Sequence, residues 1–488
     1  MDAAQNALLT VEQMYAADAA AVAAGVASLA LMEAAGTAIA REIRRRWHPR
    51  PVAIACGPGN NGGDGFVVAR LLEREGWPVR VGLLGSAGRL RGDAAVNARR
   101  WRGPIQPLSL DLLDREPLVV DALFGAGLQR PLDGVAKDVV DAVNARGLDC
   151  VGVDVPSGVH GDSGAILGAA PECAVTVTFF RAKPGHHLLP GAGARGDLVV
   201  ADIGIPEAVF GVIRPRTYVN GETLWRARYP TLDAAGHKYG RGHALVLGGV
   251  MTGAGRLAAE AARRIGAGLV TIASPPEARV IYGAGAPGTI VATIGDEDAF
   301  RALIADSRRN AVLLGPGAGT VSAVREKVLA ALSLQKRCVI DADALTVFAD
   351  DPPSLFRAIT APCVLTPHEG EFARIFAAGG DKLTRAREAA RLSGAIVLLK
   401  GADTVVAAPD GRAAINTGAP PTLATAGSGD VLAGMILGLL AQGMDAFAAA
   451  CAAADLHGRA AAAFGRGLIA EDIIAELPRV LTRCLGRI

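Results

Sequence analysis

Short apolar runs alternate with longer stretches of helical periodicity along almost the whole chain, the pattern of strands and crossover helices in a parallel α/β fold. In the first half, strands are predicted over 52–56, 79–84, 118–123, 150–154 and 175–179. Helices are expected over 64–75, 91–102 and 135–146, preceded by an Ala-rich helical stretch over 16–46 that breaks near Gly25 or Ser28. The pattern lapses between Ile213 and His237, where Pro215, Gly221 and Pro230 punctuate a polar stretch that suits a linker. It then restarts, with strands predicted over 244–247, 269–273, 312–314, 338–340, 364–365, 396–399 and 404–407. No repeat of fixed period joins the halves. The expectation is a domain over 1–213, a linker over 214–236 and a second, different domain over 237–488.

Composition narrows the functional classes. The chain has 488 residues, 51% hydrophobic and only 4% aromatic, with 61 glycines, as Ala/Val/Leu-rich α/β domains have. A net charge of +2 argues against a general nucleic-acid or membrane-surface partner. The cationic run Arg44-Arg45-Arg46 ends a predicted helix, where basic side chains suit the negative end of the dipole. The seven cysteines are scattered, without a C-x-x-C pair, and read as buried free thiols rather than a zinc site or disulfide framework. The first residues lack a basic segment before an apolar core, and apolar stretches are interrupted well short of the ~20 residues that span a bilayer. A cytoplasmic protein is expected.

Candidate chemistry sits at strand ends. Ala424-Thr425-Ala426-Gly427-Ser428-Gly429-Asp430 runs into an apolar helical stretch, so small residues and a helix N-terminus face one spot that favours anions. A carboxylate there competes with a bound phosphate unless it serves as a base, although a plain helix cap has the same appearance. Lys400-Gly401-Ala402-Asp403-Thr404, ending an apolar strand, adds a second candidate phosphate contact. Asp341 and Asp343 follow another strand and read equally as helix caps. His368, in Thr366-Pro367-His368-Glu369-Gly370-Glu371, reads as a ligand contact or a helix start. In the first half, the loop from Gly57 to Gly65 links strand to helix, Asp121 precedes Gly125-Ala126-Gly127, and Asp154 precedes Pro156-Ser157-Gly158. Neither a dinucleotide fingerprint nor a P-loop is present. Carboxyl ends of parallel strands converge on one crevice, so these three loops make one plausible site, although each taken alone fits a tight turn or cap.

Asn60-Asn61-Gly62-Gly63-Asp64-Gly65, the Asp121 and Asp154 loops and Thr178-Phe179-Phe180-Arg181-Ala182-Lys183-Pro184-Gly185 resemble the NAD(P)HX epimerases, which interconvert the R and S forms of hydrated NADH or NADPH at C6 of the nicotinamide ring. That resemblance implies a Rossmann-like domain and a potassium ion held by Asn61, Asp121 and Ser157. It also implies substrate contacts at Asn60, Asn61, Gly62, Gly63 and Asp64, at Gly125, Ala126, Gly127, Leu128, Gln129 and Arg130, and at Asp154. Asp154 is the candidate acid/base, and Lys183 reads either as an anion contact or as a solvated loop lysine.

The second half resembles the ADP-dependent NAD(P)HX dehydratases, whose three-layer α/β/α fold is that of ribokinase-like small-molecule kinases. This implies hydrated-cofactor contacts at Ala254, Gly317, His368 and Asp430, with Asp430 as catalytic base. It places the adenine nucleotide at Lys400, Gly401, Ala402, Asp403, Thr404 and Gly429. The implied substrates are NADHX, NADPHX and ADP, and Mg²⁺ is expected on charge grounds, although no ligand cluster identifies it. Two rivals stay open: an ATP-dependent kinase of a vitamin precursor or sugar, and a first domain that only binds. Homo-oligomerisation also stays open, since the Ala-rich N-terminal stretch and 446–458 suit either a partner or internal packing.

Overall fold

The computed structural model describes residues 3–231, 233 and 235–486. Two compact units emerge, one of Ala7–Thr217 and one of Tyr218–Ile488 with Met1–Asn6.

In the unit Ala7–Thr217, seven strands form one parallel sheet in the spatial order Ile105–Pro107, Val79–Leu83, Val52–Cys56, Leu118–Ala122, Cys150–Val153, Val175–Phe179, Asp197–Ala201. The first strand in sequence, Val52–Cys56, lies between the second and the fourth. The order therefore reverses there, and a crevice opens beyond its carboxyl end. All five residues of Val52–Cys56 and of Leu118–Ala122 are buried, as strands covered on both faces must be. The two edge strands escape the hydrophobic pattern because they are short or half exposed. The long N-terminal helical stretch is two helices, Val11–Ala23 and Ser28–Arg46, separated at Gly25 with φ +94°. Thr10 starts the first with a reciprocal cap, its hydroxyl accepting from the Gln13 N–H while Gln13 accepts from its own. Arg44 and Arg46 do more than end the second helix, pairing with Glu75 and Asp197.

In the other unit, parallel strands run in the order Ile396–Leu399, Cys363–Leu365, Arg337–Ile340, Arg309–Leu314, His243–Leu247, Leu269–Ser274, Ile290–Thr293. The sheet is not wholly parallel, as the alternation suggested. Val405–Ala407 and Ala413–Ile415 add antiparallel to Ile396–Leu399 as a hairpin around Asp410-Gly411. That Asp-Gly turn was a readable hairpin signal. The core is completed by Ser428–Ala441, whose residues from Val431 onward are all buried, and by the Ala-rich helix Ala446–Phe464. A helix apolar on every face belongs inside a domain.

The stretch read as a linker from 214 is built into this second unit from Tyr218 onward. Asn220 Nδ2 donates to Asn416 Oδ1 (2.8 Å), and Trp225, 0% exposed, donates its indole N–H to Asp455 Oδ2 (3.0 Å). One buried indole anchors a segment that has no periodicity to read. All seven cysteines are buried free thiols. Among the described residues no helix is long and apolar enough to cross a membrane.

Two candidate catalytic sites

The first site is a cavity of about 570 Å³ beyond the carboxyl ends of Val52–Cys56, Leu118–Ala122 and Cys150–Val153. Two glycines of its first loop are dictated by crowding: a Cβ on Gly57 would lie 1.7 Å from the Leu123 carbonyl oxygen, and one on Gly62 2.0 Å from that of Gly57. The next loop comes close as well, since a Cβ on Gly125 would lie 3.1 Å from Asn61 Oδ1 and 3.3 Å from Asp154 Oδ2. Three loops far apart in sequence thus meet. Asn60, Asn61, Asp64, Asp154 and every residue from Gly125 to Arg130 line the cavity, whereas Gly62 and Gly63 serve the packing of the turn.

Asp154 sits at φ +65°, a left-handed conformation costing about 1–3 kcal/mol in a non-glycine residue and frequent at functional sites. Four contacts hold it there. Its N–H donates to Val177 O (2.8 Å), and Oδ1 accepts from Thr178 Oγ1 (2.9 Å) and Lys183 Nζ (2.5 Å). His186 is the fourth. Its Nδ1 accepts from the Lys183 N–H (2.9 Å), so Nε2 carries the proton and donates to the Asp154 carbonyl (2.8 Å). Burial drives His186 down to about 4, so the ring is neutral. Lys183, 2% exposed, is not a solvated loop lysine but the buried partner of Asp154 at the cavity lining. Burial alone would raise the Asp154 carboxyl; the charge and hydrogen bond of Lys183 outweigh it and hold the group below its ordinary value.

Deeper in, Asp121 is buried and pushed up by burial, with Ser157 opposing. Its Oδ2 accepts from the Ser157 N–H (2.7 Å) and its Oδ1 from Ser157 Oγ (2.6 Å), which itself accepts from the Phe124 N–H (2.9 Å). Asn61 Nδ2 is buried without a partner. Sequence reasoning missed Tyr15, Asp18 and His186. The signal was weak: Tyr15 and Asp18 are polar interruptions of the apolar face of Val11–Ala23, and His186 lies three residues past Lys183.

The second site surrounds the first turn of Ser428–Ala441. Gly427 enters at φ +84°, and no side chain caps the helix, which leaves the Gly429 and Asp430 N–H groups without acceptors among the described residues. Lys400 Nζ reaches over this turn, since a Cβ on Gly429 would lie 3.7 Å from it. Lys400 pairs with Asp341 Oδ1 (2.8 Å), and with Glu371 Oε2 at 3.7 Å. Asp341 is therefore an ion-pair partner rather than a cap, and Asp343 Oδ2 accepts from the Gly319 N–H (2.8 Å) across the sheet end. The helix Asp343–Thr346 has no side-chain cap. With Lys400 shared between other carboxylates, Asp430 is pushed up to about 6, by burial first and then by the charge of Asp341, with Lys400 opposing.

A cavity of about 350 Å³ opens beside this turn, lined by Lys400, Gly401, Ala402, Thr404 and Gly429 and walled by Pro420, Pro421, Leu423 and Leu432. Asp403 does not line it; its Oδ1 accepts from Lys382 Nζ (2.6 Å). His457, buried and lowered to about 4 by burial, shares the wall and bonds to the Ser428 carbonyl (3.0 Å). His368 is the N-cap of Glu369–Ile375: Nδ1 accepts from the Gly370 and Glu371 N–H groups, and more than half of the side chain stays exposed. Ala254 and Gly317 are adjacent, a Cβ on Gly317 falling 3.3 Å from that of Ala254.

A family model described as NAD(P)H-hydrate dehydratase matches residues 244–479, and one described as YjeF-related protein N-terminus matches 28–185. A bifunctional NAD(P)H-hydrate repair enzyme of Salinibacter ruber is 37% identical over 532 residues, covering 98% of this chain and 97% of its own. One of Moorella thermoacetica is 38% identical over 496 residues, covering 93% of each. Among solved structures, a ribokinase-like superfamily protein of Enterococcus faecalis shares the fold at 24% identity and a TM-score of 0.50, covering 56% of this chain and 97% of its own.

Proposed function

This chain belongs to the bifunctional NAD(P)H-hydrate repair enzymes, and we propose that its two sites divide the repair between them. The chain is an epimerase and a dehydratase of hydrated nicotinamide cofactors. The unit Ala7–Thr217 interconverts R- and S-NAD(P)HX at C6, and the second unit dehydrates the S form with ADP as phosphoryl donor. A sugar or vitamin kinase would need no epimerase-like partner in the same chain.

The observation that carries the dehydratase assignment is Asp430, a carboxyl poised at about 6 among unsatisfied N–H groups at a helix start. Ionised, it takes the proton of the C6 hydroxyl. The freed oxygen attacks the terminal phosphorus of ADP, breaking the bond to the bridging oxygen and releasing AMP. The Gly429 and Asp430 N–H groups and Lys400 stabilise the charge on the transferring group. Phosphate then leaves C6, pushed by the ring-nitrogen lone pair, and loss of a C5 proton restores the dihydronicotinamide. Lys400 to Ala402, Thr404 and the apolar wall around Leu423 suit the nucleotide. Among the described residues no three His, Cys, Asp or Glu side chains gather as a metal site, so Mg²⁺ would travel mainly on the ADP phosphates and water.

In the first unit, Asp154 is the base and the loop from Gly125 to Arg130 cradles the substrate. A potassium ion suits Asp121 and Ser157, which offer a buried carboxylate and a hydroxyl, and Asn61, whose unpartnered amide end turns to oxygen on half a rotation. When bound, it would offset the Asp121 charge and fix the loops around the substrate.

The test supplies S-hydrated NADH with ADP and follows the dihydronicotinamide absorbance and AMP together. Equal rises in both support the assignment. A stable phosphorylated hydrate, with neither NADH nor AMP in step, contradicts it.

A further inference from the structure

The helix Val11–Ala23 turns Val11, Met14, Tyr15, Asp18 and Val22 toward the first cavity, an apolar stripe interrupted by one carboxyl. Asp18 has neither a hydrogen-bond nor an ion-pair partner among the described residues, and it is only partly buried, so solvent can reach it. The groups that face it are Tyr15 on its own helix, Lys183 and Asp154 from the floor, and Asp64 from the helix Asn60–Arg74. Asp154 alone does not serve both faces of C6: paired with Lys183 it rests ionised, set to accept a proton, and a second group must hold one to give in the same turnover. Asp64 has the opposite defect. Burial, Asp154 and Asp18 keep it well above the carboxylate range, holding its proton.

We propose that Asp18 is the second acid/base group of the epimerase, working with Asp154 on the two faces of the hydrated nicotinamide ring. The proposal rests on the epimerase reading of this cavity. Protonated Asp18 gives its proton to the C6 hydroxyl. The C6–O bond breaks and water departs, while the ring-nitrogen lone pair forms the C6=N1 π bond. Water then adds to C6 from the other face, the π pair returns to nitrogen, and the proton lost by that water passes to Asp154. Solvent reloads Asp18 and clears Asp154; the reverse epimerisation exchanges their roles. Asp18 is pushed up to about 6, by burial first, with Lys183 opposing and Asp154 adding, so both of its forms are accessible near neutral pH.

The experiment follows the full-length enzyme with purified R-hydrated NADH and no ADP, separating the epimers by chromatography across pH. The wild-type turnover number should fall as pH rises through about 6, where Asp18 gives up its proton. Asp18→Asn should lose about 10²-fold in that number and lose the limb as well, and Asp18→Glu should recover part of both. In ¹⁸O-labelled water, each epimerisation should place one solvent oxygen on C6. Dehydration of the S form with ADP should be unchanged in both variants, and the unit Ala7–Thr217 should still unfold cooperatively in denaturant with a wild-type-like midpoint, which excludes misfolding as the cause. Asp18→Asn epimerising at the wild-type rate, or keeping the limb, overturns the assignment, and retention of the original oxygen overturns the water-addition step. Absence of epimerisation in the wild type would instead sink the epimerase reading beneath it.

Discussion

The two sites use the same materials and set them to different ends. Each places an aspartate and a lysine at the carboxyl ends of parallel strands, beside glycine turns. In the first, Lys183 is committed to the proposed epimerase base, Asp154, at 2.5 Å, and holds it ionised below its ordinary value. In the second, Lys400 is committed to Asp341 at 2.8 Å, and Asp430 is left to burial and negative neighbours, poised at about 6. Burial raises both carboxyls, and the partner of the nearby lysine helps set whether that rise is overcome, as at Asp154, or kept, as at Asp430. A base that must strip a hydroxyl and then tolerate phosphate beside it gains from the second arrangement.

If this contrast is right, the largest effect comes from the poised base. Asp430→Asn should lower the dehydratase turnover number by about 10²–10⁴-fold while R/S interconversion continues unchanged, measured on the separate reactions. Next comes Lys183→Met, which strands the buried Asp154 charge. Denaturant unfolding of the unit Ala7–Thr217 should then lose about 3–5 kcal/mol, with epimerase activity lost and dehydratase activity kept.

The pH dependence of dehydration is a finer probe. As the proposed base, Asp430 would work ionised, so the turnover number should rise with pH through about 6. Asp341→Asn removes a charge that raises Asp430 and frees Lys400 to oppose it, so the rise should move to lower pH, by on the order of one pH unit. An unmoved limb would mean that neither Asp341 nor Lys400 acts on Asp430. The smallest effect is on stability. A carboxyl whose folded value is raised binds more protons folded than unfolded between its two values, so folding stability falls as pH rises through that window, from the ordinary carboxylate value to about 6. Asp430→Asn should therefore raise the melting temperature at pH 8 by on the order of 2–4 °C and leave it nearly unchanged at pH 4.

Much of this was legible in the chain. Parallel strands such as Val52–Cys56 are buried on both faces and announce themselves as continuous apolar runs. Loops that require glycine for close approach, as at Gly57 and Gly62, mark the strand ends where chemistry collects. What escaped were properties of pairs distant in sequence. That Lys183 belongs to Asp154 and Lys400 to Asp341 depends on sheet order, and the residue spacing within either loop carries no trace of it. Edge strands such as Asp197–Ala201 mix exposed and buried positions and look like loops, and Trp225 gives no periodic sign of its burial. Asp18 was hidden differently, as one polar residue on an apolar helical face.

The division of labour between Asp154 and Asp430 is tested most directly by one absorbance measurement. Mixed R- and S-hydrated NADH is supplied with excess ADP to wild type, Asp154→Asn and Asp430→Asn, and the final dihydronicotinamide absorbance is read before spontaneous epimerisation intervenes. The wild type should recover all of the cofactor, Asp154→Asn only the share that entered as the S form, and Asp430→Asn none. Full recovery by Asp154→Asn, or recovery by Asp430→Asn at a rate within about 10²-fold of the wild type, would contradict the division.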